Sequence, residues 1–266
     1  MGLRRCGEID VSKGAGAHTL SCVAEFWDRL TGAQSAPPGW AVAASAAVAL
    51  LIVGSPLAWR LARMAITIAH EGGHALASLL SGRRLEGIRL HADTSGETFT
   101  RGRGNGPGIV MTALAGYLTP PLLGAGAAGL LAAHRVTLLL AILLVLLGVT
   151  LLAIRNWYGV LSVLVTAGAV LAVTWLAGPA VRAAFAYVVA WFLLFGGARP
   201  VVELARSRGR ARRRGRPPMS DADHLAALTG APGALWVALF AVVAVAALVL
   251  GARLLIPWPV HLPRSG

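Results

Sequence analysis

The segment LARMAITIAHEGGHALASLL, residues 61–80, decides the fold and points to the chemistry. Its twenty residues match the roughly 20 that a helix needs to cross the hydrocarbon core of a bilayer. Yet its middle holds His70, Glu71 and His74. Polar and ionisable groups at that depth cost several kcal/mol unless something compensates them. On a helix, residues four apart lie one above the other on the same face. His70 and His74 can therefore share one cation, and Zn²⁺ is the common partner of paired imidazoles. Glu71 lies beside them, where a carboxylate can take a proton from a water whose pKa the metal has lowered toward about 7. A shared ion compensates all three groups, so the apolar run and the H-E-x-x-H spacing support each other. Gly72 and Gly73 inside the motif weaken the helix by about 1 kcal/mol each relative to Ala. They also allow close approach of another helix or of a substrate backbone.

Outward from this segment the chain is built for lipid. Of its 266 residues 56% are hydrophobic and 13% charged, against roughly 45–50% and 25% in soluble proteins. Seven apolar stretches, near 40–59, 61–80, 109–132, 136–154, 158–177, 180–197 and 232–256, read as membrane helices. The expected fold class is an all-α polytopic membrane protein of about seven transmembrane helices, with a small β-hairpin on the cytoplasmic side. Residues 1–38 form a polar tail and 39–256 the membrane domain, while 257–266 form a short second tail. The 81–108 loop contains two strand-like segments, Leu85–His91 and Glu97–Thr100, around an Asp93-Thr94-Ser95-Gly96 turn. The 198–223 loop is the most basic stretch, from Arg199 through Arg206, Arg208, Arg210, Arg212, Arg213, Arg214 and Arg216. Gly116 to Pro121 interrupts the third apolar stretch, and its prolines predict a kink.

The net charge is +13, and the basic residues lie between apolar runs. They read as orientation signals and contacts to anionic lipid headgroups rather than as a nucleic-acid surface. With seven crossings, the tail, both long loops and the turn at Arg155 share one face, which collects 18 basic residues against 6 on the other. That face is expected to be cytoplasmic, with the N-terminus on it and the C-terminus external. No early apolar run resembles a signal peptide. The two cysteines, Cys6 and Cys22, lie in the tail and form no metal-binding pattern.

Two imidazoles and a water leave tetrahedral zinc one ligand short. Among eleven acidic residues, Asp221 and Asp223 in Ser220-Asp221-Ala222-Asp223-His224 stand just before the last apolar stretch, on the face of the hairpin. Asp221 is the expected third ligand, Asp223 the alternative, and His224 a candidate for supporting contacts. The same residues can also cap and charge-stabilise a helix N-terminus.

The stretches HEGGHALASLLSGRR, AGYLTPPLLGA and SDADHLAALTG, in that order, resemble the site-2 protease family of intramembrane zinc metalloproteases, and more narrowly a short bacterial branch of it. The resemblance covers roughly residues 55–255. It implies that His70, His74 and Asp221 hold Zn²⁺, that Glu71 is the catalytic base, and that a peptide bond in a substrate's membrane helix is cut. It also implies an edge strand, supplied here by the hairpin, that holds the substrate extended. The localisation implied is a bacterial plasma membrane. Two departures stand out. The family's Leu-Asp-Gly is Ser220-Asp221-Ala222 here, and the Asn expected eight residues earlier is Arg213. Asn156 is a possible substitute for that oxyanion-stabilising Asn. Two other readings compete: a metal-binding membrane scaffold without turnover, favoured by the missing Asn, and a cation transporter.

Overall fold

A computed structural model describes residues 24–25, 27–28, 30–214 and 220–256. Most of the 1–38 tail with Cys6 and Cys22, the 257–266 tail and Arg216 lie outside the described residues. All seven apolar stretches form helices, but their boundaries and paths differ from the expectation. The first two become α1 (Gly39–Gly54) and α2 (Pro56–Leu80), bent by 99° at Ser55. The break falls there because Pro56 has no N–H to continue α1 and occupies the first turn of α2, where none is needed. Ser55 caps the new helix by accepting from the Ala58 N–H at 3.4 Å.

Then come β1 (Arg84–Leu90), β2 (Gly96–Arg101), α3 (Pro107–Ala132), α4 (Val136–Ala153), α5 (Trp157–Leu176), α6 (Pro179–Arg213), α7 (Asp221–Thr229) and α8 (Gly233–Leu255). Helices α3, α4, α5, α6 and α8 are long and apolar enough to cross a membrane; counting the α1–α2 pair as one broken span gives six. Helix α6 does not stop at residue 197. Its 35 residues run on through Arg213, so most of the basic stretch expected as a loop is helical. Arg and Ala are strong helix formers. At 1.5 Å per residue α6 is about 52 Å long, well beyond the roughly 30 Å hydrocarbon core.

The path of α1 is fixed at both ends. The Gln34 N–H donates to the His134 carbonyl at 3.0 Å, at the end of α3 remote from the hairpin, and the Gln34 amide reaches Thr137. Ser45 donates to the Ala184 carbonyl near the start of α6, and Arg199, fifteen residues further along α6, donates to the Val53 carbonyl. Helix α1 therefore runs beside α6 toward the hairpin end, and α2 leaves it at 99°. Two separate crossings would have returned the chain to its starting side.

The core between α1, α3, α6 and α8 is made of small residues and the side chains that fill them in. Ala127, Ala128, Ala186 and Ala190 are buried, and Gly124 and Gly251 both lie against Leu194. Such residues let helices approach closely where the hydrophobic effect gives no help. Helix α3 runs through Pro120 and Pro121 without ending, and Pro121 is buried against Gly197 of α6. The faces of α4 and α5 expose Leu152, Leu161, Trp175 and Leu176, as lipid-facing surfaces should.

Strands β1 and β2 pair antiparallel, Leu85 opposite Thr100 and Ile88 opposite Thr98, with a bulge between Leu85 and Gly87. The expected turn forms. Asp93 accepts from the Ser95 hydroxyl at 2.6 Å and its N–H at 3.0 Å, which holds the Asp93 carboxyl below the usual carboxylate range. Thr67 of α2 donates to the Thr94 carbonyl and ties the turn to the helix. Ile88 and Leu90 are fully buried with Ile68, Ala75, Ile154 and Val163. The outer edge of β1 is occupied: Ile154 bridges Ile88, and the Arg155 N–H donates to the Ile88 carbonyl. Asn156 donates to the Leu90 carbonyl and accepts from its N–H. Among the described residues the outer edge of β2 has no backbone partner.

Candidate metal centre

Helix α2 presents His70, Glu71 and His74 where α3, β2 and α7 meet. His74 is 8% and Glu71 5% exposed. Close packing against α3 brings them there: a Cβ on Gly73 would lie 2.9 Å from the Ala115 carbonyl oxygen. Gly73 thus serves helix packing. Gly72 has only Thr150 at 3.5 Å and is under no such constraint. Across the interface Gly116 of α3 faces the imidazoles; a Cβ there would be 2.6 Å from His70 Nε2.

His74 is oriented by α3. Its Nδ1 lies 2.6 Å from the Thr112 carbonyl oxygen. A carbonyl only accepts, so Nδ1 carries the proton and, in the neutral ring, Nε2 offers its lone pair. That Nε2 lies 3.1 Å from His70 Nε2. Asp221 Oδ2, at the first position of α7, is 3.2 Å from His70 Nε2 and 3.4 Å from His74 Nε2. Three potential ligand atoms thus converge within 3.4 Å of one another. A proton on His70 Nε2 or a cation among them makes the arrangement favourable. At Zn–N and Zn–O distances of 2.0–2.2 Å, the edge of a coordination tetrahedron is about 3.3–3.6 Å. The donor set of two nitrogens and one oxygen, with edges of 3.1, 3.2 and 3.4 Å, fits such an ion closely. His70, His74 and Asp221 form a cluster that can hold a metal.

Asp223 stands elsewhere. It pairs with the buried Arg208 of α6 and accepts from the Ser220 hydroxyl, turned away from the histidines. Ser220 occupies the N-cap position of α7, but its hydroxyl serves Asp223 instead of a backbone N–H. His224 lines the same cleft as the histidines, without a bond to them. Asn156, the candidate oxyanion donor, is committed at both amide atoms to Leu90 and does not line the cleft.

Three groups that sequence reasoning passed over complete the surroundings. Thr98 of β2 donates to Glu71 Oε2 at 2.7 Å and fixes that carboxylate. Tyr117 places its ring edgewise to His70, centroids 4.8 Å apart, and stacks on Phe240 of α8. Gly116 supplies the space. Only Gly116 and Tyr117 carried any signal, as part of the AGYLTPP segment read as a kink. A cleft of about 800 Å³ opens over His70, Glu71, His74 and Asp221. Gly96, Thr98 and Thr100 of β2 line one wall, and Glu203, Leu204 and Ser207 of α6 another.

A helical membrane bundle with a His-His-Asp cluster, a carboxylate beside it and a cleft above it has the make-up of a membrane metalloprotease. The Peptidase M50B-like family matches residues 43–251, and the chain belongs to that family. The match agrees with the resemblance to site-2 proteases. No curated protein and no solved structure matches the chain.

Proposed function

We propose that the protein is a zinc-dependent intramembrane endopeptidase of the short bacterial branch of its family. The reading rests on one observation: the ligand-bearing atoms of His70, His74 and Asp221 converge at tetrahedral-edge spacing beside the Glu71 carboxylate. Zinc, when bound, would supply Lewis acidity to the scissile carbonyl and to the attacking water. His70, His74 and Asp221 would hold it. Glu71, held by Thr98, takes the proton from the attacking water and returns it to the leaving amide nitrogen. The carbon–nitrogen bond breaks to give a carboxylate and an amine. The open edge of β2 forms a cleft wall, where main-chain pairing would keep an unwound substrate helix extended. The substrate is a membrane-spanning segment of another protein. The hairpin and the basic end of α6 face the cytoplasm, where the arginines meet anionic headgroups, and α8 ends on the external face.

Glu71→Gln tests the reading. The variant should retain stoichiometric zinc in detergent and lose cleavage of a membrane-helix substrate that wild type cuts. Zinc in both with turnover in neither favours the scaffold, for which the engagement of Asn156 by Leu90 is the supporting observation. Metal flux into liposomes would favour the transporter.

A further inference from the structure

We infer that Arg208 is a positioning residue for the metal centre: it clamps the first turn of α7 so that Asp221 reaches His70 and His74. The inference rests on the proposed role of Asp221 as a ligand.

Helix α7 has nine residues and is joined to α6 through the undescribed 215–219 segment. Something must fix its azimuth, because rotation by one residue would swing Asp221 about 100° away from the histidines. Arg208 is placed to do this. It is 7% exposed near the basic end of α6, where its neighbours Arg206, Arg210, Arg212 and Arg213 are exposed. Its guanidinium pairs with Asp223 and lies 3.2 Å from Ser220 Oγ, so it holds the residues on both sides of Asp221. The Ser220 hydroxyl closes the ring by donating to Asp223. The guanidinium also needs Gly233 at the start of α8, where a Cβ would lie 3.0 Å from Arg208 Cζ and 3.1 Å from the Ala222 carbonyl oxygen. Three helices meet on this one side chain, and Asp221 and Ala222 lie between its two contacts, Ser220 and Asp223. Asp223 is thereby part of the clamp, and the Ser-Asp-Ala-Asp segment has a use for both carboxylates. A planar, always-charged fork suits this double contact.

The full-length protein in detergent provides the test, with free zinc ion as the probe and competition against a graded chelator as the readout. Groups that orient a metal ligand are typically worth 10–100-fold in metal affinity. Arg208→Ala should weaken zinc by that factor. It also leaves Asp223 unpaired, so a lowered thermal midpoint is expected. The double variant Arg208→Ala/Asp223→Ala removes both charges and separates the two effects: its midpoint should recover while zinc affinity stays low, because nothing holds α7. Recovery of zinc affinity together with the midpoint would show general stability alone and overturn the inference. So would wild-type zinc affinity in folded Arg208→Ala. Asp221→Ala tells the two failures apart. If it binds zinc as wild type does, the ligand assignment fails; if it loses zinc while the Arg208 variants do not, only the clamp fails.

Discussion

Gly116→Ala is the sharpest test of the metal centre, because the structure predicts opposite effects on the helix and on the site. In an interior helical position Ala is favoured over Gly by about 1 kcal/mol. At Gly129 of the same helix an added Cβ meets nothing within 4 Å, so Gly129→Ala should simply stabilise the protein by about that amount. At Gly116 the Cβ falls 2.6 Å from His70 Nε2 and 2.6 Å from His74 Cε1, whereas ordinary contact begins near 3.4 Å. The imidazoles must retreat by at least 0.8 Å, the shortfall at those two atoms, and His74 Nε2 lies nearer still. Metal–ligand distances tolerate about 0.2 Å. Forcing a methyl into a filled space costs roughly 1–3 kcal/mol. That repulsion acts against the convergent arrangement of the rings, so it should appear as zinc affinity lowered about 5- to 150-fold, at 1.4 kcal/mol per factor of ten. The assay is chelator competition on the detergent-solubilised protein, with helicity and thermal midpoint measured on the same samples. Gly116→Ala binding zinc as tightly as Gly129→Ala would refute the placement of α3 against the histidines.

Thr98→Val removes the hydroxyl that donates to Glu71 at 2.7 Å. Hydrogen bonds to charged groups contribute about 1.5–3 kcal/mol, so kcat should fall about 10- to 150-fold with zinc content unchanged; an unaltered kcat would remove Thr98 from the site. Asn156→Ala deletes both bonds to Leu90, worth together about 1–3 kcal/mol. It should speed amide exchange in β1 and leave zinc in place; slow exchange combined with a selective loss of kcat would instead restore Asn156 as an oxyanion donor.

How legible each part was depended on how local its cause is. His70, Glu71 and His74 sit within one and a half turns of a single helix, so spacing alone places them together. Asp221 was found by elimination among few acidic residues, but Asp223 could not be set aside. The reason is Arg208, on another helix, whose pairing with Asp223 no local pattern reveals. Thr98 and Thr112 were illegible because each acts across an interface, the first through a side chain and the second through a backbone carbonyl that any residue would provide. The hairpin was readable in both strands and its turn, since alternation and Asx-turn chemistry are local. The helix boundary at Ser55-Pro56 carried the expected signals but was masked by continuous apolarity on both sides. The extension of α6 was masked by charge, which marks the end of a membrane span and says nothing about the end of a helix.

The broken α1–α2 pair bears on orientation. Seven crossings place 18 basic residues on the hairpin's face against 6. If α1 and α2 form one span, as the Gln34–His134 contact and the descent of α1 beside α6 favour, the four basic residues of the tail change sides. Arg60 and Arg63 then lie within the span, and the balance becomes 14 against 8, weaker but of the same sign. By the positive-inside rule the hairpin face would stay cytoplasmic, and the tail would then lie on the external face. Only eleven residues separate Cys22 from Gln34; as a helix they would reach about 17 Å, too short to cross back. Cys22 is therefore a reporter of the first crossing in a variant without Cys6. A membrane-impermeant maleimide applied to intact cells should label it, while Ser95→Cys in a variant lacking both native cysteines should react only after permeabilisation. If Cys22 is protected until the membrane is opened, α1 and α2 cross separately, and the contact between Gln34 and His134 cannot persist in the bilayer.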